Sequence, residues 1–216
     1  GDDVRKKKKN EELDALEDNW TLAEVLKNPT FWIFISGRVI SPAWGTGLIL
    51  HQISVFAELG HPAEVAAGTY AIITIVTAVF SLIFGVLVDR LRPGIIMALQ
   101  LGALIVSMIL ATLMTSQVLL WVYALSFGMM MGGGGVFDGA VWVNLFGRKH
   151  QGSIRGFIST SLVTGTAIGP ILFGLSLDTL GSYSPVLWLG VVLASMSIIG
   201  ALLAPLPEHV QEEVIL

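Results

Sequence analysis

Two ionisable residues stand alone inside long apolar stretches of this sequence, and they are the first candidates for chemistry. Arg38 lies within residues 30–57 and Asp138 within residues 117–146. Lone charges in an apolar stretch are costly and mark functional sites. A guanidinium presents a fork of N–H donors that fits a carboxylate, and an aspartate can exchange a proton. We hypothesise that Arg38 binds an anionic substrate and that Asp138 competes for Arg38 and carries the coupling proton. The alternatives are a static ion pair, or an Asp138 side chain that snorkels to the cytoplasm.

Further polar side chains recur at helical spacing. Gln52 follows Arg38 by fourteen residues, which returns it to the same helix face within about 40°, and its amide is a candidate substrate contact. A second stretch carries four polar residues at intervals of four, three and four: Tyr70, Thr74, Thr77 and Ser81. If this stripe lines a pore, the first three are candidate substrate-binding residues; hydrogen bonding between helices is the other interpretation.

The elements that must position these residues are membrane-spanning helices. Apolar residues make up 54% of the chain and charged residues 13%, whereas a soluble domain carries about 25% charged residues. Six stretches are long enough to span a bilayer: 30–57, 64–88, 93–115, 117–146, 153–178 and 184–206. The prediction is an all-α integral membrane domain over 30–206, preceded by a cytoplasmic linker over 1–29 and followed by a cytoplasmic tail over 207–216.

The distribution of basic residues predicts the orientation of the spans. All Lys and Arg residues except Arg38 fall in the leading segment, in the loop after the second span, or in or just past the loop after the fourth. The positive-inside rule therefore makes both chain ends cytoplasmic, in a plasma (inner) membrane. Arg38 and Asp138 then lie about 12 Å from the cytoplasmic ends of their spans, at one level.

The leading segment offers two smaller predictions. Its "RKKKK" run, which starts at Arg5, either binds anionic lipid or only fixes the topology. "TLAE", from Thr21 to Glu24, is a capping box that starts a short amphipathic helix, and Pro29 is predicted to end that helix. Because Gly1 is not a methionine, we expect the chain to be a piece of a longer one.

An internal repeat relates the first three spans to the last three. The second span ends in "GVLVD" (Gly85 to Asp89), and the fifth ends in "GLSLD" (Gly174 to Asp178), on opposite sides of the membrane. Equivalent motifs at the middle helix of each triplet predict a 3+3 inverted repeat, an architecture of secondary transporters. The third and sixth spans are the most apolar and are predicted to face lipid.

Two motifs carry a resemblance to a known family. "GVLVDRLRP", from Gly85 to Pro93, resembles the cytoplasmic signature of the major facilitator superfamily, which implies a gating motif at Gly85, Asp89 and Arg90. "FGRKHQGSIRG" followed by "GPILFGLSLD" is similar to the tenth-to-eleventh helix region of its organic-anion carriers, which include the monocarboxylate and oxalate/formate groups. The resemblance covers nearly the whole chain, aligned to helices seven to twelve.

The resemblance implies a function and a partner. The chain would be the carboxyl-terminal half of a secondary active transporter of a small, monocarboxylate-like organic anion. Transport would be proton-coupled or by exchange, without a cofactor, and a missing amino-terminal six-helix half would complete the cavity. A non-transporting membrane scaffold or sensor with the same fold is the alternative.

Other classes of function find no support in the residues. "MGGGGVFDG" has no GKS or GKT ending and no preceding strand, so it is not a phosphate-binding loop, and its glycines are interpreted as sites of close helix packing or bending. There is no nucleophile–base pair, no Cys/His metal spacing and no basic nucleic-acid surface. The sequence therefore predicts neither an enzyme, a metal site nor a nucleic-acid partner.

Overall fold

The computed structural model describes residues 20–205, which form seven helices and no strand. Residues 1–19 of the predicted linker, the last predicted residue of the membrane domain (206) and the whole predicted tail (207–216) lie outside the described residues. The helices are α1 (Leu22–Val25), α2 (Pro29–Glu58), α3 (Ala63–Val88), α4 (Pro93–Leu113), α5 (Gln117–Phe146), α6 (Gln151–Leu180) and α7 (Ser184–Leu203). Helices α2 to α7 are long and apolar enough to cross a membrane, which confirms the predicted all-α membrane fold.

The short helix α1 forms where the capping box predicts it. The backbone N–H and the hydroxyl of Thr21 both donate to the Glu24 carboxylate, and these hydrogen bonds lower the pKa of Glu24. The predicted role of Pro29 is wrong, however, because α1 ends at Val25. Pro29 is instead the first residue of α2, a position where its missing N–H leaves no helical hydrogen bond unmade.

The basic loops gather at one face of the helix bundle. Helices α2, α4 and α6 begin there and α3, α5 and α7 end there, as shown by hydrogen bonds from the Thr30 hydroxyl to the Pro205 carbonyl and from the Trp20 N–H to the Phe146 carbonyl. At the opposite face the Tyr183 N–H donates to the Glu58 carboxylate. We call the first face the basic face; its loops carry Arg90, Arg92, Arg148 and Lys149.

The six long helices form two sets of three, α2–α4 and α5–α7. The middle helix of each set packs along the first helix of the other set, so that α3 lies on α5 and α6 lies on α2. The third helices, α4 and α7, pack against each other. Exchanging the two sets maps these principal contacts onto themselves, which is the arrangement of a 3+3 inverted repeat.

Glycines allow the helices to approach closely. Gly165 and Gly169 of α6 lie against the backbone carbonyls of Val39 and Ala43 in α2, where a Cβ atom would collide with the carbonyl oxygen. Gly132 of α5 lies against the Thr77 carbonyl of α3 in the same way. The packing interpretation of the "MGGGGVFDG" glycines is confirmed for Gly132, whereas a Cβ atom at Gly135 would meet nothing within 4 Å.

Gly169→Ala is therefore expected to destabilise the fold by about 1–3 kcal/mol, since the added methyl group must push α6 away from the Ala43 carbonyl. Gly174→Ala is the matched control, because the same methyl group on the same helix meets nothing within 4 Å. The measurement is the free energy of unfolding of the purified protein in detergent. Equal stability of the two variants would contradict the packing role of Gly169.

The third span, α4, was predicted to face lipid; it leaves one face exposed, at Ile95, Val106 and Leu113, and buries most of its remaining residues inside the chain. Within its most apolar window, 56% of the α4 residues are buried inside the chain, compared with 11% for α3. Helix α4 packs on both α5 and α7 and also touches α2. Hydropathy does not distinguish the two faces of such a helix, because lipid tails and a protein interior are equally apolar surroundings.

Candidate functional site

The Arg38 guanidinium and the Asp138 carboxylate form a two-pronged ion pair between α2 and α5. Arg38 Nε donates to Asp138 Oδ1 at 2.9 Å, and Arg38 Nη2 donates to Asp138 Oδ2 at 2.6 Å. This side-on geometry is the strongest form of an arginine–carboxylate contact. The sequence prediction that the two residues lie at one level and meet is confirmed; their roles in substrate binding and proton coupling stay predictions.

The rest of the guanidinium is also occupied by protein groups. Arg38 Nη1 donates to Gln100 Oε1 at 2.9 Å, and Nη2 has a second, longer contact of 3.3 Å with the Gly134 carbonyl oxygen. The absence of a side chain at Gly134 leaves this space open, because a Cβ atom there would lie 3.1 Å from Gln100 Nε2 and 3.6 Å from Arg38 Nη2. The guanidinium carbon lies 5.4 Å from the centre of the Phe137 ring, a favourable position for a cation.

The two members of the pair differ in their access from outside. The Arg38 side chain is 5% exposed and the Asp138 side chain 28%. Trp142 lies one turn further along α5 and donates from Nε1 to Asp138 Oδ1 at 3.2 Å. Asp138 is therefore the more accessible member of the pair. Its carboxylate accepts hydrogen bonds from two residues, Arg38 and Trp142, and it separates the buried Arg38 side chain from the outside.

The pair lines a cavity of about 280 Å³. This space is large enough for a small organic molecule. Polar groups lie at the end formed by Arg38, Gln100 and Asp138, and most of the remaining wall is apolar. Further lining residues are Ser41, Pro42, Gly45, Thr46, Ile49, Met130, Met131, Gly134, Gly135 and Leu162.

Gln52 does not line this cavity in the structure. Its side chain is fully buried, and its amide donates to the Ala66 carbonyl at 2.9 Å and to the Thr69 hydroxyl at 2.7 Å, while its oxygen accepts from the Tyr123 hydroxyl at 3.1 Å. The helix-face argument placed Gln52 near Arg38 by angle, but the two residues lie about 21 Å apart along the helix axis. The amide therefore joins α2 to α3 and α5 and is not presented to the cavity.

The polar stripe of α3 contacts neighbouring helices at its two ends. The Tyr70 hydroxyl donates to the Ile49 carbonyl of α2, and the Ser81 hydroxyl donates to the Gly132 carbonyl of α5. Thr74 is exposed and donates to the Tyr70 carbonyl of its own helix. The Thr77 hydroxyl is buried without a hydrogen-bond partner among the described residues. None of the three predicted substrate residues, Tyr70, Thr74 and Thr77, lines the Arg38 cavity.

The predicted gating motif lies at the end of α3 on the basic face. Asp89 is the C-cap residue that directly follows α3, and both Asp89 and Arg90 are exposed. Their side chains form no hydrogen bond or ion pair with any other residue in 20–205. A Cβ atom at Gly85 would meet nothing within 4 Å, so no packing inside this part of the chain requires the glycine.

Sequence reasoning missed two residues that complete the site, Gln100 and Trp142. Gln100 is one of few polar side chains in the apolar third span, and its polarity was the one available signal, although a neutral amide is a weaker signal than a lone charge. Trp142 lies four residues after Asp138 on the same helix face, a spacing that predicts contact. No group of three or more metal-ligating side chains occurs among residues 20–205.

Comparison with known proteins agrees with this architecture. Residues 30–215 match the sequence model of the Major Facilitator Superfamily. No curated protein matches the chain. Since the match covers all six long helices, the chain belongs to the Major Facilitator Superfamily, a family of multi-pass membrane transporters.

Proposed function

We propose that the chain is the carboxyl-terminal half of a secondary transporter for a small monocarboxylate-like anion, coupled to protons or working by exchange. The observation that carries this proposal is the buried Arg38, whose two-pronged edge is covered only by the more exposed Asp138 at the wall of a small cavity. A scaffold or sensor has no need of a buried cation at such a cavity.

The geometry suggests how an anion and a proton exchange at this site. Asp138 occupies the edge of Arg38 that a substrate carboxylate would use, so the two carboxylates exclude each other. Protonation removes the charge of Asp138 and with it most of its attraction for Arg38. Arg38 is then available to the substrate anion. Deprotonation of Asp138 restores the ion pair and releases the anion.

Two features support a missing second half. Helices α3 and α6 are the least buried of the six within this chain, as expected of helices that meet another domain. Asp89 and Arg90 at the end of α3 have no partner within 20–205. We propose that these residues contact the amino-terminal half and that the basic face is cytoplasmic, in the plasma (inner) membrane.

The test of this function is uptake of radiolabelled acetate, lactate and benzoate into proteoliposomes, with neutral glycerol as control. The full-length protein is expected to accumulate at least one of the carboxylates and not glycerol. This chain alone is expected to insert into the membrane and not to transport, because the cavity of the family lies between two six-helix halves. Robust uptake by the purified monomeric chain would refute the half-transporter proposal, and no carboxylate uptake by the full-length protein would favour a scaffold or sensor.

Asp89→Asn in the full-length protein is expected to lower the rate of transport severalfold and to leave anion affinity unchanged. The physical reason is that Asp89 lies at the basic face, far from the cavity, and would act by holding the two halves together in one conformation. Affinity and maximal rate are read from the same uptake curves. Asp178→Asn, at the equivalent position of the second set, is the control. An unchanged transport rate for Asp89→Asn would mean that the motif only fixes the topology of the chain and has no part in gating.

A further inference from the structure

We infer that Gln100 positions Arg38 for carboxylate recognition, by holding Nη1 of the guanidinium so that the Nε–Nη2 edge faces the anion. The inference rests on the proposed function, since it concerns how the same site selects a planar carboxylate. Gln100 does not belong to the ion pair, and it comes from α4, a helix whose composition gives no reason to expect it at a polar site. Three observations support the role.

The first observation is the way the guanidinium is divided between partners. Arg38 has five N–H donors. Gln100 Oε1 accepts from Nη1 and the Gly134 carbonyl accepts from Nη2, while the two oxygens of Asp138 accept from Nε and Nη2. If the Asp138 carboxylate releases the guanidinium, Gln100 Oε1 still accepts a hydrogen bond from Nη1. The freed edge then faces the position that the Asp138 carboxylate occupied, where a substrate carboxylate makes the same two hydrogen bonds.

The second observation is that Gln100 is itself fixed. Its side chain is 1% exposed, and its amide nitrogen donates to the Met130 carbonyl of α5 at 3.1 Å and to the Ser41 hydroxyl of α2 at 3.3 Å. These two contacts fix the orientation of the amide group, because its nitrogen must face the Met130 carbonyl and its oxygen then faces Arg38. Gln100 is thus oriented by groups that do not depend on Asp138 or on the substrate.

The third observation is that Gln100 adds no charge. A carboxylate at this position would hold Nη1 as well, but it would also neutralise Arg38 and weaken its attraction for an anion. A neutral amide orients the guanidinium and leaves its full positive charge to the ligand. This combination of fixed orientation and undiminished charge is what recognition of a small anion requires.

The consequence is a selectivity between anions of equal charge. A carboxylate is the anion of a weak acid and its oxygens accept hydrogen bonds more strongly than those of a sulfonate, so a fixed pair of donors favours the carboxylate. Acetate and methanesulfonate, which share a methyl group and a single negative charge, are therefore suitable probes. Binding of each to the full-length protein is measured as a change in tryptophan fluorescence, to which Trp142 at Asp138 contributes, across pH 5 to 8.

Gln100→Met removes the hydrogen bonds and keeps the approximate side-chain volume. We expect it to lower the ratio of acetate to methanesulfonate affinity about tenfold, the effect of losing one hydrogen bond to a charged group. The dependence of acetate binding on pH should remain, because Asp138 is intact. A merely structural role would lower the amount of folded protein and leave the ratio unchanged.

Two further variants keep the test decisive. Ser107→Ala lies on the same helix and removes another buried hydrogen bond, to Ser126, and it should leave the ratio at its wild-type value. Gln100→Asn keeps the amide but shortens the side chain by one methylene, so its oxygen no longer reaches Nη1, and it should lower the ratio as Gln100→Met does. Its ratio decides the question if Gln100→Met does not fold, and a wild-type ratio would refute the role of Gln100.

The outcomes separate this inference from the function on which it rests. If wild type prefers acetate, Arg38→Lys abolishes the preference and Gln100→Met keeps it, then the role of Gln100 is refuted and the proposed function stands. If wild type binds neither anion, or if the binding is insensitive to Arg38→Lys, the proposed function fails and the inference fails with it.

Discussion

Replacing Arg38 by lysine is expected to weaken anion binding at least about a hundredfold, nearly as much as replacing it by alanine. Arg38 forms a two-pronged contact through Nε and Nη2 and a third contact through Nη1. A lysine ammonium keeps the charge but is a point donor on a flexible stem, so it cannot reproduce the fork. Loss of one partner from a buried ion pair costs about 3–5 kcal/mol, and tenfold in affinity corresponds to about 1.4 kcal/mol.

The measurement is binding and uptake of acetate by the full-length protein at pH 5 to 8. Arg92→Lys is the matched control, since Arg92 is exposed at the start of α4 on the basic face and the substitution leaves its charge in place. Arg92→Lys is expected to behave as wild type. Normal binding by Arg38→Lys would mean that only the positive charge matters, and the carboxylate-clamp role would fail.

The sequence was sufficient to predict the scaffold of this site. Six apolar runs and the positions of the basic loops predicted the spans within a few residues of where the structure has them. The pairing of Arg38 with Asp138 followed from two facts, that each is a lone charge in its span and that both lie at one depth. Such a prediction succeeds because an unpaired charge in an apolar setting is so costly that few arrangements remain.

The neighbours of the pair could not be predicted in the same way. Gln100 lies in α4, a span that composition places in lipid, and its position at Arg38 depends on how α4 packs between α5 and α7. Hydropathy does not distinguish a lipid-facing helix from one surrounded by other helices. A neutral amide does not require a partner of opposite charge. The argument that paired Arg38 with Asp138 therefore did not constrain the position of Gln100.

Gln52 shows a second limit of reasoning from one helix. Its angular position matches that of Arg38, but a 30-residue helix crosses several environments along its length. Near the end of α2 the same face meets Thr69 and Tyr123. Helical periodicity gives direction around an axis, and the identity of the neighbour at each level comes only from packing.

The last prediction concerns Asp138→Asn, which is expected to retain or improve acetate binding and to flatten the dependence of uptake on pH between 5 and 8. Asparagine resembles the protonated acid in shape and lack of charge. Its amide nitrogen is a donor and cannot accept from Arg38 Nη2, so the two-pronged contact is lost while Trp142 can still donate to the side-chain oxygen. The Nε–Nη2 edge of Arg38 is then open to a carboxylate at every pH.

The pH response is the readout that separates a proton-carrying role of Asp138 from a merely structural one. Among residues 20–205, Asp138 forms an ion pair with Arg38 of α2, and the Arg155 guanidinium of α6 donates to the Gly139 carbonyl one residue after Asp138. Neither arginine releases its proton in this range. Asp178→Asn, a carboxylate near the opposite end of α6, should keep the wild-type pH profile. If Asp138→Asn keeps it as well, the coupling proton is carried by a group outside this site, and Asp138 serves only to hold Arg38 in place.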